Sequence, residues 1–205
     1  FYTGIMLNND LSQQIKRNFP YKPTEEQENA VKSFAEFLFS PSADSVFLMK
    51  GYAGTGKTTL TSALVRTLDS LQRKVILLAP TGRAAKVFSG YAEHPAYTIH
   101  KKIYRQKVFS NETDNFVANQ NLHRNTLFIV DEASMIANEG LSGGHFGSGR
   151  LLDDLVQYVY NGLGCRLMLI GDTAQLPPIG EEESPALSVA VSYTHLRAHE
   201  TGRNL

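Results

Sequence analysis

Gly51-Tyr-Ala-Gly54-Thr-Gly56-Lys57-Thr58 spells glycine, four residues, then Gly-Lys-Thr, directly after an apolar run starting at Val46 and directly before a helical pattern. Residue types in that order suit a phosphate chain. Glycines let backbone N–H groups turn inward, and the N-terminus of the helix that follows adds the positive end of its dipole. Lys57 can reach the outer phosphates and Thr58 can ligate Mg²⁺. Ala53 and Thr55 complete the loop and Thr59 opens the helix behind it. The candidate nucleotide-binding set is therefore Gly51, Ala53, Gly54, Thr55, Gly56, Lys57, Thr58 and Thr59.

A second constellation lies downstream, where Asp131-Glu132 ends the apolar run Leu127-Phe-Ile-Val130. Ligands of open α/β sheets bind beyond the carboxyl ends of the strands, so Asp131 is expected to hold Mg²⁺ and Glu132 to act as general base toward water. An acidic pair after a strand also reads as the solvated start of a helix. The phosphate loop upstream favours the hydrolytic pair. No Asn-Lys-x-Asp motif for reading guanine is present, which favours ATP over GTP. Thr24-Glu-Glu-Gln27 has the spacing of a capping box for the helix after it. Leu141-Ser-Gly-Gly144 looks like a signature loop of transport ATPases, but it follows the acidic pair instead of preceding its strand and continues with His145.

These residues need a scaffold. Short apolar runs at Val46–Met49, Val75–Ala79, Leu127–Val130 and Leu167–Ile170 are expected strands, buried on both faces of a mostly parallel sheet. Amphipathic stretches predict helices over Glu25–Phe39, Lys57–Leu71, Arg83–Ser89 and Leu151–Asn161. The alternation gives an α/β fold with helices on both faces of the sheet. The polar stretch from Arg105 to Asn125 is expected to be either a small hairpin or a surface loop. Five glycines between Gly140 and Gly149 argue for a mobile loop.

With 205 residues, 42% hydrophobic and 20% charged, the chain is of ordinary globular composition and of a size for one domain. Its formal net charge of zero gives no overall pull toward nucleic acid. The window Arg83–Lys107 is locally basic, with six Lys/Arg against the single acid Glu93. A lone Cys165 excludes an internal disulfide, and no apolar run is long enough to span a membrane, so a cytoplasmic protein without membrane contact is expected. Phe1–Ile5 precede Met6 and are expected to be foreign to the domain. Ser192-Tyr-Thr-His-Leu-Arg-Ala-His-Glu-Thr201 resembles translated sequencing adapter, so residues from about 188 onward are set aside as a non-native tail on a truncated gene.

Five landmarks occur in order: Thr24-Glu-Glu-Gln27, Ala79-Pro-Thr-Gly-Arg-Ala-Ala-Lys86, Thr98-Ile-His100, Asp131-Glu-Ala-Ser-Met135 and Gly171-Asp-Thr-Ala-Gln-Leu-Pro-Pro178. With the phosphate loop they resemble the first RecA-like domain of RecD-like superfamily 1 DNA helicases, over residues 20 to 187. The resemblance implies a P-loop ATPase fold of RecA type. It implies that Gln27 reads the adenine edge, that Gln175, supported by Asp172, senses the γ-phosphate, and that Thr81, Arg83, Thr98 and His100 line a path for single-stranded DNA. The residues alone also allow Arg83 and Lys86 to be a solvated helix face and His100 to be a packed side chain. The resemblance further implies 5′-to-3′ movement on DNA, a hairpin that meets the fork with Phe109 or Phe116, and an arginine supplied by a second RecA-like domain. A nucleotide-dependent switch module without a DNA path is the competing reading.

Overall fold

The computed structural model describes residues 2–43, 45–106, 116–138, 147–178, 183–188 and 197–200. The chain runs α1 (Tyr2–Arg17), α2 (Glu25–Phe39), β1 (Ser45–Gly51), α3 (Lys57–Ser70), β2 (Lys74–Ala79), α4 (Gly82–Ala92), β3 (Ala96–Thr98) and α5 (Ile99–Ile103). It continues through β4 (Tyr104–Gln106), β5 (Phe116–Ala118), β6 (Thr126–Val130), α6 (Leu151–Tyr160), β7 (Arg166–Asp172) and β8 (Arg197–Glu200). Short 3₁₀ turns occupy Ala133–Met135 and Pro185–Ser188.

Six strands form one parallel sheet in the order β3-β2-β6-β7-β1-β8. Its four central strands are the four apolar runs, extended at their ends. Alternate residues serve two cores, because successive strand side chains point to opposite faces. Phe47, Met49, Leu77, Ile129, Met168 and Ile170 pack beneath α1 to α4. Val46, Leu48, Leu78, Phe128, Val130, Leu167 and Leu169 pack on the face covered by α5 and α6. This two-faced burial is why the runs are apolar throughout and not alternating. The expected helices are present with small changes at their ends, α4 reaching three residues further than its pattern predicts.

Four elements were not anticipated. α1 packs on α2 and α3 and buries Leu11 and Ile15, one helical turn apart, with Phe19 following. β3 and α5 are only three and five residues long. β8 falls in the stretch set aside as tail, and its backbone pairs with β1 from Ser45↔Arg197 to Leu48↔Glu200. Between Arg105 and Asn125 the stem of a hairpin is present, β4 antiparallel to β5 with Arg105 opposite Val117. Residues 107–115, including Phe109, and residues 139–146 of the glycine-rich stretch lie outside the described residues. Phe116 does not belong to a tip: it is half-buried against the α6-side core, so its ring is already committed to packing.

Candidate nucleotide site and its neighbouring cleft

β1 delivers the chain to Gly51, and α3 begins six residues later at Lys57. The turn between them requires left-handed backbone at Gly54 (φ +81°) and Gly56 (φ +85°). At Gly56 the positive φ calls for glycine, and a Cβ there would also displace the end of the Gln27 side chain. Gly56 is the N-cap of α3 and offers no side-chain cap. The first N–H groups of a 14-residue helix are thus left facing the cleft, the arrangement that favours an anion. Lys57 Nζ donates to the carbonyls of Gly51 (2.8 Å) and Tyr52 (2.7 Å) and lies 3.9 Å from Asp172 Oδ2. Thr58 is exposed at the start of α3, while Thr55 turns its hydroxyl back to the Tyr52 carbonyl.

The neighbouring strand ends bring the acids. Asp131 follows β6, and both of its oxygens are engaged: Tyr91 Oη donates to Oδ2 (2.7 Å) and the Glu132 N–H to Oδ1 (2.9 Å). Burial pushes the Asp131 carboxyl up, opposed by the two donors and by the charge of Lys57. Burial, and then the Asp131 carboxylate, push the Tyr91 phenol far up, so it remains a proton donor. Glu132 has φ +54°, a conformation that costs a non-glycine residue roughly 1–2 kcal/mol and holds it out of the β6 direction. Gln175 Nε2 donates to Glu132 Oε2 (2.9 Å), and Ser134 Oγ donates to Gln175 Oε1. Asp172, only 9% exposed, accepts from the Ala174 N–H (2.8 Å) and so fixes the turn that carries Gln175.

These side chains line a cleft of about 490 Å³ with Tyr21, Ala53, Gly54 and Thr59. Among its described lining residues the only cation is Lys57. The donor set suits a magnesium-bound nucleotide: a glycine cradle and open helix N–H groups for phosphate, and Thr58 and Asp131 as oxygen donors for Mg²⁺. Gln27 is 2% exposed, is not among the residues lining the cleft, and serves the cap of α2. Its Oε1 accepts from the Thr24 N–H while its own N–H donates to Thr24 Oγ1, completing the capping box of α2, and its Nε2 is directed toward Gly56.

A second cleft of about 300 Å³ adjoins the first. It is lined by Thr81, Arg83, Ala84, Val87 and Met135 together with Asp131, Glu132 and Gln175, which border both spaces. Thr81 caps α4 by accepting from the Ala84 N–H, and Arg83 is exposed on the first turn. Thr98 and His100 line neither cleft. Thr98 lies beside Ala79 in the β2–β3 ladder and accepts from the Lys101 N–H. The His100 ring is half-buried, 5.7 Å from that of Tyr104, and burial lowers its pKa. The packed alternative for His100 therefore has a physical basis. Sequence reasoning missed Tyr91, Tyr21 and Ser134. A tyrosine at the end of an amphipathic helix carries no local mark of its partner, and Tyr21, whose Oη reaches Thr59 Oγ1 at 3.3 Å, precedes any recognisable element.

The fold is that of a RecA-like P-loop NTPase, and residues 22–199 match the AAA domain family, to which the chain belongs. Among curated proteins it is 32% identical over 144 residues to the ATP-dependent RecD2 DNA helicase of Deinococcus radiodurans, covering 70% of this chain and 17% of that one. It is 30% identical over 150 residues to the ATP-dependent DNA helicase dda of Enterobacteria phage T4, covering 72% and 31%. Both relatives are, by their names, ATP-dependent DNA helicases, and this chain resembles one domain-sized part of each. A crystal structure of Pif1 helicase from Candida albicans shares the fold at a TM-score of 0.51 and 18% identity, over 90% of this chain and 41% of that one. The chain spans about a third or less of the length of the curated relatives it matches. No described helix is long and apolar enough to cross a membrane.

Proposed function

We propose that this chain is the ATP-binding motor domain of a cytoplasmic DNA helicase, coupling ATP hydrolysis to movement on single-stranded DNA toward a fork. The observation that carries the reading is the shared wall of the two clefts. Asp131, Glu132 and Gln175 border both the phosphate-loop cleft and the cleft of Thr81 and Arg83, so ligands in the two spaces would meet the same three side chains. In the first cleft Lys57 and the α3 N–H groups hold the phosphates, and Thr58 and Asp131 hold Mg²⁺. When bound, Mg²⁺ offsets charge on the phosphate oxygens. Glu132 takes the proton of the attacking water, and Gln175, bonded to Glu132, reports the state of the γ-phosphate. Gln27 reads the adenine edge through Nε2. In the second cleft Thr81 and Arg83 meet the DNA backbone, with Thr98 and His100 further along the same sheet edge.

Superfamily 1 motors complete their site with an arginine from a second RecA-like domain. Lys57 is the only cation among the described residues lining this cleft, which supports such a partner domain here. Movement in the 5′-to-3′ direction follows from the RecD-like resemblance.

The test is fluorescence anisotropy of a labelled single-stranded oligonucleotide against this chain at two salt concentrations, with Arg83→Ala beside it. Salt-sensitive binding that weakens in Arg83→Ala is expected. Absence of oligonucleotide binding with Mg-ATP binding intact would instead favour a nucleotide switch module.

A further inference from the structure

Tyr91 is the sole side-chain hydrogen-bond donor to Asp131 among the described residues, and it comes from α4, whose first turn borders the second cleft. α4 is held differently at its two ends. Near its C-terminus Phe88 is fully buried, and the Tyr91 ring lies 5.2 Å from it. The Tyr91 carbonyl accepts from Ser62 Oγ of α3, and Arg66, one turn along α3, pairs with Glu93 at 2.8 Å. The N-terminal half carries the exposed residues Thr81, Arg83, Lys86 and Val87. Ala84, Val87 and Tyr91 follow one another at helical spacing along the face toward Asp131, the first two lining the second cleft and the third the nucleotide cleft.

We propose that Tyr91 is a positioning residue: its hydroxyl fixes the Asp131 carboxylate for Mg²⁺ and makes α4 the link between the Thr81–Arg83 edge and the metal site. The proposal rests on the roles given above to Asp131 and to the second cleft. With Oδ2 held by Tyr91 and Oδ1 by the Glu132 N–H, the carboxylate has one orientation, and its remaining lone pairs face the cleft. Removing the phenol leaves a half-buried carboxylate with one donor fewer and free to rotate. Coupling is reciprocal: an oligonucleotide that shifts the first turn of α4 changes metal affinity, and metal-bound nucleotide changes oligonucleotide affinity by the same factor.

The experiment titrates Mg²⁺ into this chain with a fluorescent, non-hydrolysable ATP analogue, with and without an oligo-dT strand, for the parent sequence and Tyr91→Phe. The ring is kept, so packing on Phe88 survives, and a thermal melt checks that it does. Tyr91→Phe is expected to raise the half-saturating Mg²⁺ concentration about three- to tenfold, while binding of the analogue in EDTA is unchanged. The oligo-dT strand is expected to shift the Mg²⁺ midpoint of the parent and to lose most of that shift in the variant. An unchanged midpoint, or equal loss of affinity with and without Mg²⁺, overturns the positioning role. An undiminished oligo-dT shift in Tyr91→Phe overturns the link through α4. If the strand fails to bind the parent at all, the DNA reading falls and with it the link, while the Mg²⁺ arm still decides the positioning role.

Discussion

The two clefts share a wall but are built in opposite ways. In the nucleotide cleft nearly every polar side chain is already tied to another: Lys57 to the loop carbonyls and Asp172, Gln175 to Glu132 and Ser134, Asp131 to Tyr91. Outside the three shared residues and the Thr81 cap, the neighbouring cleft has few such ties, and it exposes apolar groups beside its cation, with Val87 60%, Met135 50% and the nearby Leu176 90% accessible. Cross-linking of the first kind prepares a site for a small charged ligand, whose phosphates meet dipoles already held in place once Lys57 leaves the loop carbonyls. Apolar exposure beside a basic residue suits a partner that covers area and brings its own phosphates. On the proposed reading, the difference separates a chemical centre from a contact surface.

The largest expected effect tests what the first cleft lacks. The 205-residue chain should bind Mg-ATP yet release phosphate about 10³–10⁵ slower than complete two-domain motors, because Lys57 is the only cation among the described residues lining the nucleotide cleft. A phosphate-release assay reads this, and rapid DNA-stimulated turnover by the chain alone would sink it. Lys57→Ala comes next, weakening binding of a fluorescent ATP analogue about 10- to 100-fold while leaving oligonucleotide affinity near its parent value. Equal loss of both ligands would mean the clefts are one site. Arg83→Ala is the mirror experiment, with an expected three- to tenfold loss (about 1 kcal/mol) of oligonucleotide affinity, a salt slope smaller by about one, and no change for nucleotide.

The same contrast explains what could be read from the sequence. The phosphate loop, the acidic pair and the central strands were legible because each depends on local constraints: glycine at positive φ, carboxylates at a strand end, continuous apolar runs. Asp131 was legible, but Tyr91 was not, since 40 residues separate them and only the path of α4 brings the phenol to the carboxylate. α1 and the turn after it carried a readable signal in Leu11, Ile15 and Phe19, spaced by four, that the polar residues between them obscured. β3 and α5 are shorter than any periodicity can reveal. The β8 ladder was set aside on the origin assigned to its residues, a consideration that says nothing about whether a backbone can hydrogen-bond to an open edge.

Gln27 allows the cap and the nucleotide contact to be separated. Gln27→Glu keeps an acceptor for the Thr24 N–H but replaces the Nε2 donor with a buried carboxylate, so analogue affinity should fall several-fold together with the melting temperature. Thr24→Ala should lower stability alone, costing about 1 kcal/mol by denaturant titration with nucleotide affinity retained.

The smallest expected effect lies in acid, away from both clefts. Burial lowers the pKa of His100, and burial together with Lys102 and Lys74 lowers that of His123, from the ordinary value of 6.5. Each ring therefore binds a proton less readily folded than unfolded. Its contribution is fully present above the unfolded value and is lost as pH falls below it toward the folded value. Urea midpoints should decline between about pH 7 and about pH 5 for the parent, and less steeply for a His100→Gln, His123→Gln pair. The difference should be small, because both rings keep solvent contact that screens the charge. A decline of equal slope in both proteins would mean that the two rings do not set the acid sensitivity in that range; Glu28, its pKa lowered by Lys16, acts in the same direction but only below its ordinary value of 4.5.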